Sequence, residues 1–179
     1  GSSMRSNARS IIATLLFAEL AVSFESAMLY AALPKLIRQF GDPITAGWLI
    51  TIHLLIGAAV SVVIGRMGDI FGRKPIILAV LAIATVGSTL SAVTTQFGIV
   101  LVGRAMQGFA MAVIPLTIGV LRETLPPQRV PVAVGFMTTG TTLGSALGLV
   151  LGGAIIDRFN WHALFVFSAV LLGISWLAI

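Results

Sequence analysis
The 179-residue chain is 58% hydrophobic and 9% charged, against roughly 25% charged in an ordinary soluble domain. Mean hydropathy is +1.07, more apolar surface than a soluble fold of this length hides from water. Disordered, coiled-coil, collagenous and disulfide-scaffold classes are excluded, and with no cysteine so are thiolate metal sites. An all-α integral membrane protein is expected.

Gly1, Ser2 and Ser3 before Met4 look like a tag-cleavage scar, and residues 4–10 form a short N-terminal segment. Apolar runs of about 20 residues then predict six membrane spans within residues 11–179. The first is Ile11–Leu33, stopped by Pro34. The second is Ala46–Ile64. The third, Pro75–Val93, opens on a proline whose missing N–H costs nothing at a helix start. The fourth, Ile99–Val120, contains Pro115 and should kink there. The fifth is Val132–Ile156 and the sixth His162–Ile179. The sixth ends without a charged flank, which predicts a chain that is truncated or is one half of something larger.

Arg5, Arg9, Arg66, Arg73, Lys74, Arg122 and Arg129 fall on one side of these spans; Lys35, Arg38 and Arg158 fall on the other. The positive-inside rule then places the N-terminus in the cytoplasm of a cell (inner) membrane protein. Tyr30, Trp48 and Trp161 are expected near the outer interface and Trp176 near the inner one.

A charged group inside a span costs about 3 kcal/mol or more near the bilayer centre unless it is paired or hydrated. Glu19, Glu25 and Arg104 are such groups, and His53 joins them. Counted from the outer helix ends at 1.5 Å per residue, Glu25 lies about 13 Å deep, His53 about 10 Å and Arg104 about 8 Å. These three share a layer. Glu25 is expected to be a proton-binding carboxylate, paired with Arg104 when deprotonated, protonation switching as the cation comes and goes. The alternative has Arg104 snorkelling outward and Glu25 hydrated in a cavity. Glu19 is either a second proton or cation-recognition site, or a protonated carboxyl bonded within the bundle. His53 either packs and hydrogen-bonds or relays protons. Gln107, one turn from Arg104, orients it or contacts substrate.

Gly65, Asp69 and Phe71 after the second span recur as Gly153, Asp157 and Phe159 after the fifth. With three spans per unit the second unit is inverted, an arrangement found in secondary transporters. Gly140, Gly144, Gly148 and Gly152 recur every fourth residue, with Gly153 following, and form a small-residue ridge for close helix approach.

Gly65-Arg-Met-Gly68-Asp69-Ile-Phe-Gly72-Arg73-Lys74 resembles the loop motif G-x-x-x-D-x-x-G-R-K of the major facilitator superfamily, between helices two and three. Arg104-Ala-Met-Gln107-Gly108 resembles the fourth-helix motif R-x-x-Q-G. Glu25 through Ala32-Leu33-Pro34 resembles the first-helix motif of drug/proton antiporters, with Glu for Asp and Tyr30 where Asn is usual. Gly144 through Gly153 resembles the fifth-helix antiporter motif, with Leu149 in place of its proline. Asn160-Trp161-His162 is similar to the pair opening helix six, with His for Arg.

The resemblance covers nearly the whole chain but only the N-terminal six-helix half of that fold. It implies half of a proton-coupled exporter of small amphipathic or drug-like molecules, working by alternating access. The partners implied are the lipid bilayer, a small-molecule substrate, and a second six-helix half, either a C-terminal half or a second copy. Gln107 and Tyr30 would line the substrate cavity. Asp69 would meet a helix N-terminus of the other half and close the cytoplasmic side, with Glu123 as partner for Arg73. The glycine ridge would slide against the other half; tight packing inside this bundle is the alternative. A rival of another class is a non-transporting module that self-associates as a homodimer through the ridge. No enzyme, cofactor, metal or nucleic-acid motif is present, and the proton is the only coupling species expected.

Overall fold
The computed structural model describes residues 2–179, with side chains from Asn7 onward. Gly1, in the scar, and the Arg5 side chain, used for orientation, lie outside the described residues. The helices are α1 Ser2–Phe40, α2 Pro43–Phe71, α3 Arg73–Ala92, α4 Phe97–Gly108, α5 Val113–Thr124, α6 Val130–Arg158 and α7 Trp161–Ala178. A 3₁₀ turn, Phe109–Ala112, joins α4 to α5, and the two form one crossing, so among the described residues six helical spans are long and apolar enough to traverse a bilayer. The segment 4–10 is helical, part of α1.

Pro34 does not stop the first span. It sits inside α1, which runs two turns further. The ring removes only one ladder bond, while the turns beyond it gain packing: Leu36 is fully buried, and Phe40 meets Phe97 and Trp161 edge-on at 5.2 and 5.7 Å. Pro115 lies in the third position of α5, just past the 3₁₀ turn; its missing N–H leaves the Met111 carbonyl without its usual partner where the helix tightens.

Helix ends follow local chemistry. Asp42 caps α2, accepting from the Thr45 N–H at 2.7 Å and the Thr45 hydroxyl at 2.7 Å. These bonds hold its carboxyl below the ordinary aspartate range. Asn160 caps α7 by accepting from the Ala163 N–H at 3.0 Å. Gly72, at φ 93°, makes the sharp break between α2 and α3. Lys35 donates to the Ile156 carbonyl at 2.6 Å and so covers an orphan acceptor at the end of α6. Tyr30, Trp48 and Trp176 are exposed, as an interfacial belt requires, but Trp161 is buried, stacked on His162 with centroids 3.6 Å apart.

The packing has an internal two-fold pattern. α1 lies along α6 as the α4–α5 span lies along α2; α1 meets α7 as α4 meets α3; and α3 packs on α7. Exchanging spans one to three with four to six maps each contact onto another, the pattern of two inverted three-helix repeats. Two apolar clusters fill the bundle. One, around Leu15, Ile77, Leu81 and Leu116, lies toward the end carrying the Gly65–Lys74 loop. The other, around Phe24, Leu36, Leu49 and Leu164, lies toward the opposite end. Buried polar side chains separate them.

Candidate functional site
α4 reaches α2 closely because Gly108 has no side chain: a Cβ there would stand 2.8 Å from the His53 carbonyl oxygen. That approach brings Glu25 of α1, His53 of α2, and Arg104 and Gln107 of α4 into one buried layer. Arg104 is fully buried. Its Nε donates to the Leu49 carbonyl at 3.0 Å, and Nη1 donates to the Glu25 carbonyl at 3.1 Å and to Gln107 Oε1 at 3.0 Å. Gln107 Nε2 donates to Ser88 Oγ at 2.9 Å, and Ser88 donates to the Phe165 carbonyl at 2.9 Å. One chain of bonds therefore ties five of the six spans together.

The expected Glu25–Arg104 ion pair is not formed. The guanidinium fork is taken up by two backbone carbonyls and an amide, and Arg104 holds the Glu25 main chain instead of its carboxylate. Full burial also excludes the outward-snorkelling arginine. The carboxylate turns to His53, with Oε1 3.4 Å from Nδ1. Among the described residues, both Glu25 oxygens, His53 Nδ1 and Arg104 Nη2 are buried without a hydrogen-bond partner. The other ring nitrogen, Nε2, lies 3.0 Å from Ser26 Oγ.

Glu19 is buried apart from this layer. Its Oε2 lies 3.2 Å from the Thr141 hydroxyl of α6, which also reaches the Met137 carbonyl at 3.1 Å, and Oε1 is unpartnered among the described residues. Gln107 is wholly enclosed and acts as a strut between α4 and α3, so it does not face open space as a cavity-lining residue would. Tyr30 is half-exposed on the surface of α1.

At one end of the bundle Arg73 bridges two carboxylates, donating to Asp69 at 2.5 Å and to Glu123. Its guanidinium lies over Gly119, where any Cβ would collide with it. A Cβ on Gly68 would stand 2.5 Å from Leu116 Cδ2, so that glycine seats α2 on α5. Gly65 has open space around it, and Lys74 is exposed. A cavity of about 370 Å³ is lined by Gly65, Asp69, Arg73, Pro115, Gly119 and Arg122 among others. The sequence-related turn at Gly153–Phe159 has no such bracket among the described residues, and Asp157 is exposed.

The glycine ridge is not a surface for another half. It packs within the bundle on α1: Cβ atoms at Gly144 and Gly148 would stand 2.5 Å from the Leu20 carbonyl oxygen and 2.8 Å from that of Phe24. Gly140 meets Leu16, and Gly152 meets Met28; Gly153 alone of this set faces open space. The four-residue period puts these glycines on one face, and the contact with α1 uses that face up. The ridge therefore offers nothing to a second copy.

Three participants escaped the sequence reading: Ser26, Ser88 and Thr141, which bond the buried polar groups; α6 also carries an exposed run of threonines. Thr138, Thr139 and Thr142 each return their hydroxyl to a carbonyl four residues back. The neighbour relation of Ser26 to Glu25 was the available signal for the first; the others depend on interhelical register.

The sequence profile described as Major Facilitator Superfamily matches residues 15–179. The chain is similar to an uncharacterized MFS-type transporter, YvkA, of Bacillus subtilis, at 29% identity over 92% of this chain and 38% of the relative. It is also similar to the multidrug efflux pump LfrA of Mycolicibacterium smegmatis, at 29% identity over 90% of this chain and 32% of that protein. Among solved structures it resembles the human organic anion transporter MFSD10 (TETRAN), with TM-score 0.70 and 18% identity over 95% of this chain and 46% of the other, a likeness of fold. The chain thus spans less than half the length of each of these proteins.

Proposed function
Because this chain belongs to the Major Facilitator Superfamily and is an integral membrane protein, we propose that it forms one half of a proton-coupled secondary transporter. In this reading it exports small amphipathic or drug-like molecules by alternating access against a second six-helix half, whether a C-terminal half or a second copy. The observation that carries the reading is the buried Glu25–His53 pair, a carboxyl and an imidazole facing each other across 3.4 Å with no other partner for the facing atoms. A bilayer protein keeps an ionisable group at such depth for proton or ion chemistry. The similarity to a multidrug efflux pump supports the substrate class.

Each part then has a role. Glu25 takes and releases the proton, with His53 as its neighbour. Arg104 supplies positive charge and, with Gln107, fixes α1 and α2 around the site. Glu19, with Thr141, is a second protonatable site. Tyr30 and the threonine face of α6 contribute the wall presented to substrate. Gly65, Gly68, Asp69, Gly72, Arg73, Lys74 and Glu123 form the gate at the end that this reading takes as cytoplasmic, in an inner-membrane protein whose N-terminus lies on the same side; the excess of basic residues there supports that orientation. The substrate is carried without covalent change, and the proton is the only coupling species this reading requires.

The test is transport in proteoliposomes, with flux and oligomeric state measured on the same preparation. An imposed pH gradient should drive efflux of a lipophilic cation when the chain is paired with a second half, and Glu25→Gln should abolish it. Gradient-driven flux that persists in Glu25→Gln contradicts the proposal.

A further inference from the structure
The Ser26 hydroxyl has one proton and two neighbours. It donates to the Val22 carbonyl at 3.1 Å, the usual back-bond of a helical serine, and its oxygen lies 3.0 Å from His53 Nε2. A carbonyl only accepts, so with the hydroxyl proton committed to Val22 the contact with His53 is made by an Nε2–H donating to Ser26 Oγ. A neutral imidazole carries one N–H; with it on Nε2, Nδ1 presents a bare lone pair 3.4 Å from Glu25 Oε1, and neither atom has a hydrogen-bond partner among the described residues.

Two acceptors buried face to face repel unless a proton lies between them. We propose that Ser26 is a positioning residue that holds His53 in the Nε2–H form, so that Glu25 and His53 share a single proton between Oε1 and Nδ1. This deepens the proton-coupling reading of Glu25 and rests on it. The pair has two loaded forms. In one, the Glu25 O–H donates to Nδ1. In the other, that O–H bond breaks, an Nδ1–H bond forms, and carboxylate faces imidazolium; charge and atoms balance within the pair. Release of the proton to water leaves carboxylate against lone pair, and either the ring or α1 must then move. Arg104 from α4 is the charged group beside the pair, with an unpartnered Nη2, and Tyr30 of α1 lies beyond it. α3, α6 and α7 bring Ser88, the glycine ridge and Phe167 to this region.

The chain holds two histidines, so ¹⁵N-histidine labelling of the full chain in lipid nanodiscs, with His53→Gln for assignment, reads the tautomer directly. The expected result is neutral His53 protonated at Nε2 with an unprotonated, hydrogen-bonded Nδ1. Ser26→Ala should shift the tautomer ratio toward Nδ1–H by about five-fold, the equilibrium worth of one ordinary hydrogen bond. Ser26→Thr, which keeps the hydroxyl, should restore the wild-type ratio. An Nδ1–H tautomer in the wild type, or a ratio unchanged in Ser26→Ala, overturns the role of Ser26. An infrared titration of Glu25 on the same samples separates the two failures. If Glu25 still exchanges a proton while the tautomer is Nδ1–H, only the positioning role falls. If Glu25 does not titrate, the underlying reading falls whatever the tautomer.

Discussion

Arg104 donates to the main-chain carbonyl of Glu25, while the carboxylate of the same residue turns away to His53. The arginine thereby joins α4 to α1 and α2 and leaves the carboxyl available to a proton. A bidentate ion pair would have fixed Glu25 in its charged form. The arrangement divides two jobs between two atoms of one residue.

Arg104→Lys tests the structural half of that division. An ammonium keeps the charge but lacks the planar fork that reaches Leu49 O, Glu25 O and Gln107 Oε1 together. Each lost charged hydrogen bond is worth about 1.5–3 kcal/mol. Unfolding in mixed micelles should show a loss in that range or above, with helical content of the folded state unchanged.

Gly144→Ala and Gly153→Ala form a matched pair on α6. The added methyl at Gly144 meets the Leu20 carbonyl oxygen at 2.5 Å and must push α1 away, at a cost of about 1–3 kcal/mol. At Gly153 it meets nothing within 4 Å, and the better helix propensity of alanine should stabilise by up to about 1 kcal/mol. The same micelle unfolding assay reads both. Opposite signs are expected.

The matched pair also marks what the sequence tells and withholds. The period of four put Gly140, Gly144, Gly148 and Gly152 on one face and required a close helical neighbour. Periodicity says that a face is used, but not by which helix; only the register of α1 against α6 answers that. The six spans were legible because apolar length decides them. The continuation of α1 past Pro34 was not, because its energy comes from Phe40 packing on Phe97 and Trp161, residues far along the chain. Counting depth placed Glu25, His53 and Arg104 in one layer, which the fold does bring together. It gave no access to the direction of each side chain, and so the Arg104–Glu25 ion pair was expected where a main-chain contact stands.

Gly119→Ala should unseat Arg73 without altering any charge. A Cβ at that position occupies the space of the guanidinium, which must then leave Asp69 or Glu123. Both carboxylates are exposed, so each pair is worth only about 0.2–1 kcal/mol and stability should change little. Spin labels on α2 and α5 near the loop should instead report a wider distance distribution. An unchanged distribution would mean that the bracket does not hold these helices together.

Asp42 makes a pH-dependent cap. The Thr45 bonds lower its folded-state proton affinity below that of the unfolded chain, so the cap contributes at neutral pH and is lost as pH falls through the folded value. Amide-exchange protection at Thr45 should drop on acidification below the ordinary aspartate range. Asp42→Asn keeps the acceptor oxygen and should remove most of this pH dependence; Asp42→Ala should abolish the protection at every pH.

The most direct measurement is difference infrared spectroscopy of the chain in lipid bilayers, following the protonated-carboxyl stretch through a reversible pH cycle. A band that appears and disappears with pH, is absent from Glu25→Gln and persists in Glu19→Gln is the expected result. A spectrum in which Glu25→Gln removes nothing that titrates would contradict it.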